Sequence, residues 1–244
     1  MSIAILALIA CTAIFLVWER VRPGRPLPRA SGWYARALAI NLVQLAVTIA
    51  VGVYWHRWWN GDSLLALSSL DAPVLEGFIG WFAGTFVFYW WHRLRHKNGW
   101  WQVFHQIHHS PARIEVLTSF YKHPIEILCN SLLTSVILFP MLGVSVAAGA
   151  WYNFFAAMGE YFYHANVRTP RWLRYIVQTP ELHSVHHQYD FHSCNYSDLP
   201  VWDRLFGTYR DAVEFTPRCG FPDGAEQKLG RMLLFHDVHE PRNA

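Results

Sequence analysis

The chain has 244 residues, of which 53% are hydrophobic and only 15% charged, with 13 Trp, 11 Tyr, 16 Phe and a formal net charge of +3. Soluble domains carry about 25% charged residues, so most of this chain does not face water, and so small a charge without a basic run excludes nucleic acid as a partner. Cys11, Cys129, Cys194 and Cys219 form no CxxC and no regular framework, which argues against a disulfide scaffold or an iron–sulfur site.

Ser2 to Trp18 just reaches the length that crosses a bilayer before Glu19 and Arg20 stop it. It lacks the basic opening and cleavage site of a signal peptide and reads as a retained transmembrane helix. The prolines and glycine of VRPGRPLPRASGW forbid a continuous helix, and Tyr34 to Trp55 forms the second span. Residues 56–72 are a polar loop. Ala72 to Trp91 is the third span, ending in an aromatic belt, Tyr89, Trp90 and Trp91, of the kind that marks the headgroup level.

Beyond the belt the helix is expected to continue into water with His92 and His96 until Asn98 and Gly99 interrupt it. A second helical piece starts at Trp100 and ends near His109, because Pro111 biases Ser110 away from the α region. From Pro124 to Tyr163 only Glu126 and Glu160 are charged, and Pro140 with Gly143 divides the run into a helical hairpin. In TPELHSVHH, Thr179 is an N-cap and Pro180 takes the first helical position, where its missing N–H costs nothing. Residues 188–244 read as short helices and turns forming a cap. The expected fold is all-α, with four to five transmembrane helices and a cytoplasmic helical cap. It divides into N-terminal transmembrane helices and loops (1–72), a catalytic region (73–210) and a C-terminal tail (211–244).

The distribution of Lys and Arg gives the orientation. Five fall in residues 19–36, one in 56–72, five in 92–123 and nine after 164. Cytoplasmic loops collect these residues, so the N-terminus is expected outside and the histidine sets inside.

The stretch HRLRHKNGWWQVFHQIHH, residues 92–109, holds five histidines. His92 and His96 are four apart. His105, His108 and His109 follow an i, i+3, i+4 pattern that returns in His183, His186 and His187. At about 100° per residue each set falls within an arc of roughly 100°, and each is expected to face one point. Eight imidazoles exceed what one mononuclear site uses, and neutral imidazole suits iron, zinc, copper and nickel. His164 ends the hairpin on the same membrane face and completes a set of nine for two metals. His123 and His192 are near enough to be ligands or to support them. His56 falls across the bilayer, and His236 and His239 lie in a tail without a matching motif.

Competing classes leave other marks. A membrane zinc protease would show HExxH, whereas Ser184 stands where the glutamate would be. A b-type cytochrome would place single histidines deep inside facing helices. A metal transporter or metal-binding membrane scaffold is the non-enzyme alternative, but transport needs polar ligands near mid-membrane.

HRLRH (92–96), WQVFHQIHHSP (101–111), HP at His123, HANVRTP (164–170), TPELHSVHH (179–187) and NYSDLPVWDRLFGTY (195–209) together resemble the fatty acid hydroxylase and sterol desaturase superfamily of integral-membrane dimetal oxygenases. The resemblance covers roughly residues 75–210. It implies two iron ions, with zinc able to replace them in a purified or overexpressed sample, and O2 as co-substrate. The implied reaction is hydroxylation of a C–H bond in a fatty acyl, sterol-like or carotenoid lipid entering from the bilayer, with desaturation at the same site as the alternative. With no GxGxxG fingerprint and no CxxC, electrons are expected from an external redox protein and reductase. The compact chain looks most like bacterial members, which places it in an inner membrane. Two departures stand out: Glu160 occupies the position four before His164 where relatives carry histidine, and NYS replaces the usual NYG. Glu160, Glu181, Asp190 and Asp203 are the carboxylates expected to orient the ligand rings. For the VWDRLFGTY motif, packing of Trp202 and Phe206 competes with a role for Asp203 in holding a ligand imidazole or pairing with Arg204.

Overall fold

The computed structural model describes residues 2–239 apart from 60, 98 and 223, and leaves out the side chains of residues 56–58. The described residues form helices and turns with no strand. The long helices are α1 (Ile3–Val21), α2 (Trp33–Trp58), α3 (Pro73–Arg95), α5 (Pro124–Val136, continued by a π turn Ile137–Met141) and α6 (Val146–His164). Between α3 and α5 lies the one-turn α4 (Gln106–His109), entered through a π turn at Trp101–His105; α7 (Pro180–His186), α8 (Pro200–Leu205) and α9 (Leu229–Leu233) follow α6.

Ile3–Val21, Trp33–Trp55 and Pro124–Met141 are long and apolar enough to cross a bilayer. Their outward faces carry exposed Leu6, Ile9, Ile14, Leu42, Leu45, Ile49, Leu128 and Leu132. So continuous an apolar surface is stable only against lipid. Of the other expected spans, α3 and α6 have 23 and 19 residues but lower hydropathy, because Glu76, Trp81, Tyr89, Asn153 and Glu160 interrupt the aliphatic run. The two pack closely on each other. A Cβ at Gly77 would stand 2.6 Å from Trp151 Cβ and 2.7 Å from the Ala148 carbonyl, so glycine sets the distance between the helices.

The long helices alternate so that α1 ends, α2 begins, α3 ends, α5 begins and α6 ends at the same end of the bundle. At the other end, backbone N–H groups of Leu64, Leu65, Leu67 and Ser68 donate to the carbonyls of Pro140, Met141, Leu142 and Gly143. His56 falls in the last turn of α2 at that far end, and its side chain lies outside the described residues, as does Asn98, expected to help end α3. α3 stops at Arg95, with His96 as its C-cap.

At the histidine end the chain is tied down by buried polar groups. Glu19, expected to stop α1 in the headgroup region, is instead only 1% exposed and accepts from the backbone N–H of Val116 and Asn166 at 2.9 and 3.3 Å. Glu115 accepts from Trp33 Nε1 at 2.6 Å and pairs with Arg20 and Arg113. A buried carboxylate is tolerated where hydrogen bonds and a cation satisfy it. The tail belongs to the same body: Phe221, Ala225, Met232 and Val238 share a core with Trp33, Ala37 and Ile107.

Candidate metal centre

Nine histidine side chains converge at this end in two groups, His92, His96, His105, His109 and His186 in one, and His108, His164, His183 and His187 in the other. Within each group the ligand-capable atoms lie within 4.8 Å of one another. The groups adjoin, and the His109 ring stacks on His187 at 4.1 Å.

The expectation that each triplet faces one point does not hold. His105 and His109 enter the first group while His108 enters the second; His183 and His187 enter the second while His186 enters the first. Helix geometry gives the reason: residues i and i+4 lie about 40° apart, whereas i+3 diverges by about 60° from i on the other side. Each triplet therefore lends two ligands to one group and one to the other, and α4 and α7 do so in opposite senses.

The hydrogen-bond partners fix which nitrogen faces inward. His92 Nδ1 donates to the Tyr196 carbonyl at 2.6 Å, His186 Nδ1 to the Cys194 carbonyl at 2.7 Å, and His164 Nδ1 to the Glu160 carbonyl at 2.8 Å. A carbonyl only accepts, so these Nδ1 atoms carry the proton and each Nε2 presents a lone pair. Those lone pairs point at other ring nitrogens: His92 and His105 Nε2 are 2.8 Å apart, His164 Nε2 is 3.2 Å from His108 Nε2 and 3.1 Å from His183 Nε2, and His187 Nε2 is 3.1 Å from His183 Nε2. His96, His109 and His186 Nε2 are buried without a partner among the described residues. His92 and His105 both carry their proton on Nδ1, so their facing Nε2 lone pairs repel unless a cation lies between them, and with the unpartnered Nε2 atoms of His96, His109 and His186 and the close ring nitrogens of the second group the residues fit two metal ions. Burial pushes the imidazoles of His92, His96, His105, His108, His109, His183 and His187 well below their ordinary value, and His186 down to about 3, with neighbouring cationic groups adding to the effect. All are neutral at pH 7, the form that ligates metal.

The outer partners differ from those expected. Glu126 touches a ligand ring, accepting from His105 Nδ1 at 3.1 Å, and it is held in turn by a short contact from the Arg95 guanidinium. Of the expected carboxylates, Glu181 accepts from Thr169 N and Oγ1 at 2.9 and 2.8 Å and ties the strap after α6 to α7. Asp190 stands 3.5 Å from His239. Glu160 is not among the grouped ligands; Lys122 Nζ donates to it at 2.7 Å, and it meets His164 Nδ1 through its backbone carbonyl at 2.8 Å, with its Oε2 at 3.6 Å. Asp203 touches neither an imidazole nor Arg204. It accepts from Tyr196 N, Ser197 N and Thr208 Oγ1 at 2.8, 2.9 and 2.7 Å, and so holds the peptide whose carbonyl orients His92. Trp202 and Phe206 pack on α3, with Trp202 against Phe86 at 5.0 Å and Phe206 against Trp90 at 4.7 Å. The NYS turn needs no glycine, because its positive φ angles fall at Cys194 and Asn195 rather than at Ser197.

His123 is outside both groups. It caps α5, accepting from Ile125 N at 3.1 Å. His192 supports rather than joins the first group, its Nδ1 lying 3.1 Å from His109 Nδ1. His236 and His239 are in neither group, but the His239 ring packs on His192 at 4.9 Å, a contact that no motif in the tail announced.

A cavity of about 800 Å³ runs from these rings between the helices, with His92, His105 and His108 at one end and Leu138 and Phe139 along its length, and it opens at the outer surface of α2, where Leu42 and Ile49 line it and are themselves exposed.

A family model for fatty acid hydroxylase matches residues 77–208, more than half of the chain, and the protein belongs to that family. It is similar to a very-long-chain aldehyde decarbonylase of Oryza sativa subsp. japonica, 31% identical over 163 residues that cover 62% of this chain and 24% of the rice protein. It is also similar to fatty acid hydroxylase domain-containing protein 2 of Macaca fascicularis, 25% identical over 174 residues that cover 71% of this chain and 50% of the macaque protein. The chain thus spans between a quarter and a half of the length of these relatives. No solved structure matches.

Proposed function

We propose that the protein is a membrane-bound di-iron oxygenase that hydroxylates a C–H bond in a lipid drawn from the bilayer. The observation that carries this reading is the convergence of one ring nitrogen from each of nine histidines in two groups at the end of a largely apolar cavity. The irons, when bound, would supply O2 activation and the redox chemistry that breaks an unactivated C–H bond. The chain's own residues do the rest. Nine neutral imidazoles would hold the metals without neutralising them, and the nearest carboxylates are already matched by cations, Glu126 by Arg95 and Glu160 by Lys122. Carbonyls of Tyr196, Cys194 and Glu160 hold the rings in the ligating tautomer. The cavity would align an alkyl chain toward His92, His105 and His108; its volume is within the usual range for ligand sites, roughly 300–1,000 Å³.

The net change is R–H + O2 + two electrons + two protons to R–OH + H2O, with the electrons supplied by a separate redox protein and its reductase. The relatives' names, an aldehyde decarbonylase for very long chains and a fatty acid hydroxylase domain protein, support a long-chain lipid as substrate. The concentration of Lys and Arg around the histidine end supports a site on the cytoplasmic side of the membrane. The test is anaerobic loading with ferrous iron, a chemical reductant and isotopically labelled O2, followed by mass spectrometry of the lipids. An alcohol carrying one labelled oxygen is expected. An unlabelled alkene would change the assignment to desaturation, and iron-loaded protein without any O2-dependent product would contradict an oxygenase.

A further inference from the structure

α1 lies along α6 and α2 along α5, and the turn Val116–Thr118 touches both α1 and α2 at the histidine end. There the gap between α1 and α2 is shut by polar groups. Glu19 accepts from the Val116 N–H at 2.9 Å, Glu115 accepts from the Trp33 indole N–H at 2.6 Å and pairs with Arg20, and Asn41 Nδ2 donates to the Leu117 carbonyl at 3.1 Å. Phe120, which lines the cavity, meets Tyr161 edge-on at 5.5 Å and continues that wall. Farther from the histidines the gap is open. Leu8 of α1 lines the cavity, as do Leu42, Leu45 and Ile49 of α2, which are 65%, 55% and 57% exposed. Asn153 of α6 also lines it and is exposed, its amide donating to the Gly149 carbonyl at 2.8 Å. At Gly52, one of the lining residues, a Cβ would meet nothing within 4 Å.

The depth of this mouth selects what can use it. At about 1.5 Å per residue, Leu42 and Ile49 stand roughly 13 and 24 Å along α2 from Trp33, and Leu8 stands roughly 20 Å along α1 from Val21. The hydrocarbon core is about 30 Å thick, so the mouth straddles the bilayer midplane. A chain held by its headgroup at either surface spends its length in reaching the midplane, about 15 Å away, and has none left to run from the mouth to His92 and His105. Carrying the headgroup itself to the mouth would put its charge at the centre of the bilayer, where a charge is most costly. A long-chain lipid with no headgroup has nothing to hold it at either surface. It can lie at the midplane and slide in end first.

We propose that the gap between α1 and α2 at the level of Leu8, Leu45 and Ile49 is the substrate entrance, and that it admits long-chain hydrocarbon lipids without a headgroup from the bilayer midplane. The polar knot of Glu19, Arg20, Glu115 and Trp33 is what closes the same gap at the headgroup level. Both helices lie outside residues 77–208, so the entrance is built by this chain's N-terminal helices and not by the region that the family shares. The inference rests on the oxygenase reading only for what happens to the lipid once it is inside.

The test is photolabelling of the full chain in phosphatidylcholine vesicles, without O2 or electron donor, with the labelled residues read by mass spectrometry. One probe is hexadecane bearing a diazirine near its end; the other is phosphatidylcholine bearing the same diazirine near the end of an acyl chain. The hydrocarbon is expected to mark the buried lining residues Ile127 and Ala157 roughly 10- to 100-fold more than the phospholipid does, the ratio that the cost of a charge at the bilayer centre supplies. Both probes should mark exposed Leu6 and Ile9 on the outer face of α1. Leu45→Trp combined with Ile49→Trp should remove most of the interior labelling and leave that of Leu6 and Ile9, whereas Leu128→Trp, on the outer face of α5, should change neither. Interior labelling by the phospholipid equal to that by the hydrocarbon, hydrocarbon confined to the outer faces, or interior labelling untouched by the double change would overturn the entrance. Hydrocarbon inside the cavity without any O2-dependent product in the reconstituted reaction would keep the entrance and sink the oxygenase; O2-dependent hydroxylation of phospholipid acyl chains with the hydrocarbon kept out would do the reverse.

Discussion

At the level of single residues, what distinguishes a ligating histidine from any other is where its second nitrogen goes. His186 gives Nδ1 to a carbonyl and keeps a free Nε2 in the cluster, whereas His123 uses its Nδ1 to cap α5. His186→Ala should therefore lower bound metal and abolish turnover, and His236→Ala, outside both groups, should do neither. His123→Ala should cost about 1 kcal/mol of stability as a lost cap and leave metal content intact; loss of metal on that change would show the two roles to be misassigned. Glu126→Ala should weaken metal binding by roughly 10- to 100-fold through His105, and it should also destabilise the fold because Arg95 is left as an unpaired buried charge. Both effects are read by metal titration and thermal unfolding in detergent. Acidity acts in one direction. The buried imidazoles take up protons less readily than they would in the unfolded chain, His186 only at about 3. Between that value and the free histidine value of about 6.5 the unfolded state binds more protons, so stability of the metal-free protein should fall as pH is lowered through about 6 and below. Unfolding temperatures of chelator-treated protein at pH 8, 6.5 and 5 would check the sign. Eight of the nine grouped histidines were legible in the sequence from their spacing, and His164 from its place at the end of the hairpin. The groups that orient them were not, because Tyr196 and Cys194 act through backbone carbonyls, which any residue possesses, and Glu126 lies 21 positions from the ring it touches.

At the level of elements, the repeated HxxHH pattern announced two helical turns carrying metal-ready rings. It did not show that each turn divides its rings between two centres, because a 100° arc can be read as one face or as two depending on what stands opposite. The C-terminal motif shows the same limit. VWDRLFGTY left packing and ligand support as rivals, and both are present: Trp202 and Phe206 pack on α3, while Asp203 clamps the Tyr196–Ser197 peptide and supports His92 one bond removed. Asp203→Asn keeps one acceptor oxygen but loses the second, so it should loosen that clamp and reduce metal affinity by about 10-fold, the lower end of effects seen for groups that orient ligands. Unchanged metal affinity in a stably folded Asp203→Asn protein would leave only the packing role. The approach of α3 to α6 was not foreseen. Glycines in an apolar run look like any others until the partner helix is known, and it is Trp151 and Ala148 that leave no room for a Cβ at Gly77.

For the molecule as a whole, the apolar runs announced the helical class, and their alternation announced that the histidines gather at one end of the bundle. The number of crossings was less legible, since α3 and α6 carry aromatic and polar residues that lower their hydropathy, among them Trp81, Tyr89, Tyr152 and Glu160, which line the cavity. The fold places exposed Ser31 at the histidine end and exposed Ser69 at the opposite end. Cysteines introduced at these two positions, with the native cysteines replaced, should be labelled from opposite sides of the membrane, Ser31→Cys from the cytoplasm. Labelling of both from one side would undo the bundle's orientation and with it the cytoplasmic site. The central claim is that the nine histidines hold two metals, one per group, and anomalous diffraction or single-particle imaging of anaerobically iron-loaded protein tests it most directly. Two metal positions are predicted, one enclosed by His92, His96, His105, His109 and His186 and the other by His108, His164, His183 and His187; a single metal, or metal bound through residues outside these groups, would contradict the account.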